Sequence, residues 1–71
     1  MNLELLKSKI EQSSTNKSAI AEALGITRQG LYNKLEGEKE FKVSEIKIIS
    51  SMLCLTSAER DAIFFNDYVG V

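Results

Sequence analysis

The chain has no histidine and a single cysteine, Cys54. Without histidine it lacks the side chain that most often serves as metal ligand or as general base near neutral pH. One cysteine closes no internal disulfide. Its place near the end of an apolar segment predicts a small hydrophobe rather than a reactive thiol, which would need a lowered pKa. No apolar run approaches the roughly 18 residues of a membrane-crossing helix, and the first residues have neither the pattern of a secretory signal nor a basic targeting arm. The expectation is a cytoplasmic protein that does not meet a membrane. Carboxylates are present, but nothing in the sequence sets two of them across a cleft. Neither catalysis nor a metal or cofactor site is therefore expected.

What the chain does have is the material of a small helical domain. Its 71 residues are 44% hydrophobic and 27% charged, the balance of a globular chain rather than a disordered one. A domain of this size buries only about 60% of its unfolded surface. With no disulfide or metal to staple it, packed helices must supply the stability. The reading is one all-α domain over residues 1–71.

Apolar residues at helical spacing place the elements. Residues 2–13 carry Leu3, Leu6 and Ile10 as a stripe widened by Leu5, with Glu4, Lys7, Lys9 and Glu11 on the remaining surface. Ser13, Ser14 and Thr15 form a polar connection. From 43 to 53, Ile46, Ile49 and Leu53 face a core behind a Ser44 cap, while Ile48 and Met52 need cover from another helix or a partner. Thr56 opens the sequence TSAE, in which Thr56 and Glu59 can satisfy each other's free amides. The last helix, 57–66, then offers Ala58, Ala62 and Phe65 on one face, with Ile63 and Phe64 beside it.

The most informative stretch is 16–37, NKSAIAEALGITRQGLYNKLEG. Asn16 is a good cap for a helix over Lys17–Leu24, which turns Ile20, Ala21 and Leu24 to one side. Gly25 can take the left-handed conformation that ends it. Thr27 caps a second helix, 28–36, which turns Leu31 and Leu35 inward. At about 100° per residue this leaves Gln29, Asn33 and Glu36 outward, flanked by Arg28 and Tyr32. Gly37 ends that helix, and a charged loop, 38–42, holds Phe41.

Ala21, Gly25, Ile26 and Leu31 stand where the helix-turn-helix of the phage Cro and repressor proteins, within the wider XRE family of bacterial regulators, carries its small residue, turn glycine and two apolar anchors. The ending LYNKLEG also resembles the end of that family's recognition helix. The resemblance implies a compact five-helix, lambda-repressor-like domain that binds double-stranded DNA with the helix 28–36 in the major groove. Arg28, Gln29 and Asn33 are the candidate base contacts, since glutamine and asparagine can pair two-fold with adenine and arginine with guanine. Asn16, Lys17 and Ser18, at a helix N-terminus, are candidate phosphate contacts. So are Thr27, Tyr32, Lys39, Phe41 and Lys42, the last three because the family's backbone meets phosphate after this helix. Gly30 departs from the pattern, since relatives carry a small hydroxyl residue there. Glycine inside a helix costs about 0.8–1.0 kcal/mol relative to alanine. It either lets DNA or a neighbouring helix approach closely or leaves the helix loose. Ala21 lets the two motif helices cross closely.

Charge and tail qualify this picture. The formal net charge is −1 and the sequence pI about 5.3, against the basic balance usual for such binders. Residues 17–42 hold five basic and four acidic side chains, and the rest of the chain four basic and six acidic. The asymmetry has the right sign but is small, so phosphate neutralisation contributes little and weak binding by isolated monomers is expected. Glu36, Glu38 and Glu40 suggest the alternative of a protein-binding module of the same fold, an antirepressor or antitoxin acting through a partner regulator. Regulators of this kind commonly bind palindromes as dimers. A homodimer through residues 63–71 and Ile48, with Phe64, Phe65 and Tyr68 as contacts, stands beside simple core packing of the same residues.

Overall fold

The helices begin where a side chain takes up an amide that no earlier turn can satisfy. The structure, a computed structural model, describes residues 1–65. Asn2 caps α1 (Leu3–Gln12) by accepting from the Leu5 N–H at 3.1 Å. Asn16 caps α2 (Lys17–Leu24) through the Ala19 N–H at 2.8 Å, and Thr27 caps α3 (Arg28–Leu35) through the Gly30 N–H at 2.9 Å. Ahead of α5 (Ser57–Phe64), Thr56 and Glu59 exchange hydrogen bonds of 3.0 and 2.9 Å, the reciprocal cap expected from TSAE.

α4 (Val43–Met52) departs from the expectation of a Ser44 cap. Its N-cap is Lys42, and the amide of Lys42 donates to the Glu45 carboxylate at 2.8 Å. A carboxylate in the first turn both meets the free amide and suits the positive end of the helix, so the boundary moves two residues earlier.

Three helices end by one device. Gly25, Gly37 and Cys54 have φ of 73°, 86° and 53°. At each, two amides fold back on the last turn: Gly25 to Glu22 and Ile26 to Ala21, Gly37 to Lys34 and Glu38 to Asn33, Cys54 to Ser51 and Leu55 to Ser50. Cys54 therefore holds a position that favours glycine. It is exposed, which corrects the expectation of a buried hydrophobe: the left-handed turn directs it out of the apolar run that precedes it.

The core joins Leu6 and Ile10 of α1, Ile20 and Ala21 of α2, Leu31 and Leu35 of α3, Phe41 of the loop, Ile46 and Ile49 of α4, and Ile63 and Phe64 of α5. α2 packs on α3 and α4, and α1 on α3 and α5. The Asn2 amide donates to the Ile63 carbonyl at 2.6 Å, tying the start of α1 to the end of α5. Ala58 and Ala62 are exposed, so α5 is rotated from its expected face. Turning Ile63 and Phe64 inward removes more apolar area from water than two alanines would, at roughly 25 cal/mol per Å².

For one of the four named dimer contacts, burial favours the alternative of core packing. Phe64 is 3% exposed and meets Phe41 edge to face, with ring centroids 5.7 Å apart. It is a core residue, unavailable to a second chain. Ile48 and Phe65 are half-buried, and Tyr68 lies outside the described residues. Among the described residues no helix is long and apolar enough to cross a membrane.

Candidate nucleic-acid interface

The first residue of α2 and the first five residues of α3 meet at one depression, of about 390 Å³, lined by Lys17, Arg28, Gln29 and Tyr32. Gly25 makes this possible by reversing the chain within a few residues, while Leu31 and Leu35 fix α3 by its inner face. Arg28 and Gln29 are consequently exposed, and Tyr32 is 52% exposed, so it is not taken up in packing. Asn33, half-buried, is joined to this group: its Oδ1 accepts from the Gln29 Nε2 at 3.0 Å. Asn16 and Thr27 already use their side-chain oxygens as caps, and Ser18 is exposed in the first turn of α2.

The remaining candidates lie elsewhere. Lys39 lines a second depression with Met1, Leu3, Gly37 and Glu40, beyond the opposite end of α3. Phe41 is 7% exposed, so its ring cannot meet a phosphate and only its main chain is left for that role. Lys42 is exposed at the start of α4. A Cβ added at Gly30 would meet the Thr27 hydroxyl at 3.3 Å and the Ile26 side chain at 3.7 Å. The glycine thus faces the cap and turn of its own motif rather than a neighbouring helix.

Lys34 was not legible as a structural residue. Its ammonium lies 3.0 Å from the Glu45 carboxylate, donates to the Glu40 carbonyl at 3.0 Å and stands 5.8 Å from the centre of the Phe41 ring, within cation–π range. The two side chains are only 11% and 7% exposed, so this is a buried pair joining α3 to the start of α4. Burial pushes the Glu45 carboxyl up, yet the Lys42 amide and the Lys34 ammonium outweigh it and hold the group below the ordinary carboxylate range. The distance from 34 to 45 runs through a loop, and no periodicity links its two ends.

Ion pairing sorts the cations. Lys7 pairs with Glu36 at 2.9 Å, Lys9 with Glu59, Lys34 with Glu45 and Arg60 with Asp61. The hydrogen bond to Glu36 raises the Lys7 ammonium above its usual value, and that to Lys9 holds the Glu59 carboxyl down at about 2. Lys17, Arg28, Lys39 and Lys42, all candidate DNA contacts, form no ion pair among the described residues, and neither does Lys47, which is not a candidate; the Lys42 charge nonetheless helps to lower the Glu45 carboxyl. All three suspect acids are exposed, and Glu36 is paired with Lys7 of α1. No cluster of three or more metal-binding side chains occurs among the described residues.

A glycine-turned helix pair whose second helix presents guanidinium and amide groups beside a capped helix N-terminus defines a helix-turn-helix domain of the DNA-binding kind. Comparison with known families agrees: residues 4–36 match the family model of bacterial regulatory proteins of the Fis family. The match runs from α1 to the end of α3, so it contains the whole helix pair and stops before the loop that holds Phe41. No curated protein and no solved structure matches the chain.

Proposed function

We propose that the chain is a sequence-specific transcription regulator of the phage Cro or repressor type, acting in the cytoplasm as a homodimer on a palindromic operator. The observation that carries this reading is the depression shared by Lys17, Arg28, Gln29 and Tyr32, where a helix N-terminus and base-reading side chains converge. With α3 in the major groove, Gln29 reads adenine and Arg28 reads guanine or grips a phosphate. Asn16, Lys17 and Ser18 present the amide end of α2 to the backbone, which adds dipole attraction to the lysine charge. Thr27, Tyr32, Lys39, Lys42 and the main chain at Phe41 fix the register along the strand. Two copies would set their α3 helices about 34 Å apart, one helical turn of DNA.

Binding selection from a random duplex pool at stated salt tests the proposal. A palindrome with half-sites one turn apart is expected, and an unenriched pool overturns it. On the selected site, Lys17→Ala and Lys42→Ala should each weaken all sequences alike and lower the salt slope by about 0.9 per lost phosphate contact. An unchanged slope would remove that lysine from the interface.

A second reading, a module that acts through a partner regulator, is favoured by the exposed Glu38 and Glu40 beside the end of α3. Under it, DNA binding emerges only when the partner protein is added.

A further inference from the structure

We infer that Asn33 is a positioning residue for Gln29 rather than an independent reader of a base, a refinement that rests on the DNA-binding reading above. Both residues lie on the outer side of α3, one turn apart, and the Gln29 Nε2 donates to the Asn33 Oδ1 at 3.0 Å. A free glutamine side chain samples several rotamers, and ordering it on a base costs conformational entropy. The hydrogen bond removes part of that cost before DNA arrives. It engages one of the two Nε2 hydrogens and leaves the second hydrogen and the Oε1 of Gln29, one donor and one acceptor, which are the two groups that a two-fold contact with the adenine N7 and N6 requires. The burial of the two side chains fits this division of labour. Gln29 is exposed and lines the depression with Lys17, Arg28 and Tyr32, whereas Asn33 is half-buried and does not line it. Asn33 thus stands behind Gln29, as the less exposed acceptor of its amide.

The chemistry of the acceptor supplies the test. Aspartate at position 33 can still accept from the Gln29 amide but cannot donate to a base. Selection from a random duplex pool is therefore run for the native chain and for Asn33→Ala, Asn33→Asp, Gln29→Ala and the double alanine variant, each checked for an unchanged thermal melt. Gln29→Ala should lower preference at one base position by roughly 5- to 150-fold, the span of one good two-fold base contact. Asn33→Ala should weaken preference at that same position by about 2- to 10-fold, the net value of one hydrogen bond. Asn33→Asp should restore the preference even if its charge lowers affinity for every sequence. The double variant should match Gln29→Ala. Loss of preference at a second position in Asn33→Ala, left unrestored by Asn33→Asp, makes Asn33 a reader in its own right and overturns the inference alone. A native chain that enriches no sequence overturns both it and the proposed function. In the DNA-free protein, 15N relaxation of the Gln29 side-chain amide should report faster motion in Asn33→Ala than in the native chain. Equal motion also overturns the inference.

Discussion

Cys54 occupies a left-handed turn with φ of 53°, where any side chain bearing a Cβ is crowded against the following carbonyl. That strain is about 1–2 kcal/mol, and the entropy that glycine brings to the unfolded chain offsets roughly 0.5–1 kcal/mol of the gain from removing it. Cys54→Gly is therefore expected to raise stability by about 0.5–1 kcal/mol, seen as a higher urea midpoint at unchanged slope. Cys54→Val should lower the midpoint, because a β-branched residue fits this region worst. A fall in the glycine variant would mean that the strain is not held at this turn. The same residue marks a limit of sequence reading. Gly25 and Gly37 announce their turns by being glycine, as Asn16, Thr27 and Thr56 announce their caps by offering an oxygen to the helix. Cys54 makes an equivalent turn with nothing in its side chain to announce it, so burial by analogy with other free cysteines was the natural expectation, and it was wrong.

Among the elements, α3 is held at its inner face by Leu31 and Leu35 and near its end by the pair of Lys34 with Glu45. Removing one member of a buried pair leaves the other charge without compensation, which typically costs about 3–5 kcal/mol. Glu45→Ala also removes the acceptor for the Lys42 amide, so a loss of about 3 kcal/mol is expected in chemical denaturation. Lys34→Met combined with Glu45→Leu should recover a good part of it, since a paired burial repays little of its desolvation. If the double variant is no more stable than Glu45→Ala, the pair is contributing through something other than charge compensation. Local signals were enough to find the helices: apolar residues at three- and four-residue steps located α1 to α4 within a residue or two at each end. Contacts that join elements were not readable in this way. Lys34 with Glu45, Lys7 with Glu36 and Phe41 with Phe64 depend on how helices are set against one another, and the rotation of α5 follows from the same global choice.

For the molecule as a whole, charge governs the response to acid. Glu45 and Glu59 both have folded values below the ordinary 4.5. A depressed carboxyl contributes its stability in full above the unfolded value and loses it as pH falls through the folded one, about 2 for Glu59. The melting temperature should hence be nearly level between about pH 6 and 8, where a chain without histidine has little to titrate, and should fall progressively below about pH 4.5. Glu59→Gln should flatten that acid limb. A limb that keeps its full depth in this variant would exclude the Lys9 pair as a source of it. Composition gave the net charge but not its arrangement, because which carboxylate takes which ammonium is a property of the folded surface.

That arrangement bears on how fast a partner can be engaged. The ammonium groups of Lys7, Lys9 and Lys34 each hold a carboxylate, whereas Lys17, Arg28, Lys39 and Lys42 form no ion pair among the described residues. On the proposed face, capture of a phosphate would therefore displace solvent ions rather than an ion-paired carboxylate of the described residues. If that face docks on DNA as proposed, no internal salt link has to be exchanged first, and the association rate is expected to fall as salt is added, as in a charge-steered encounter.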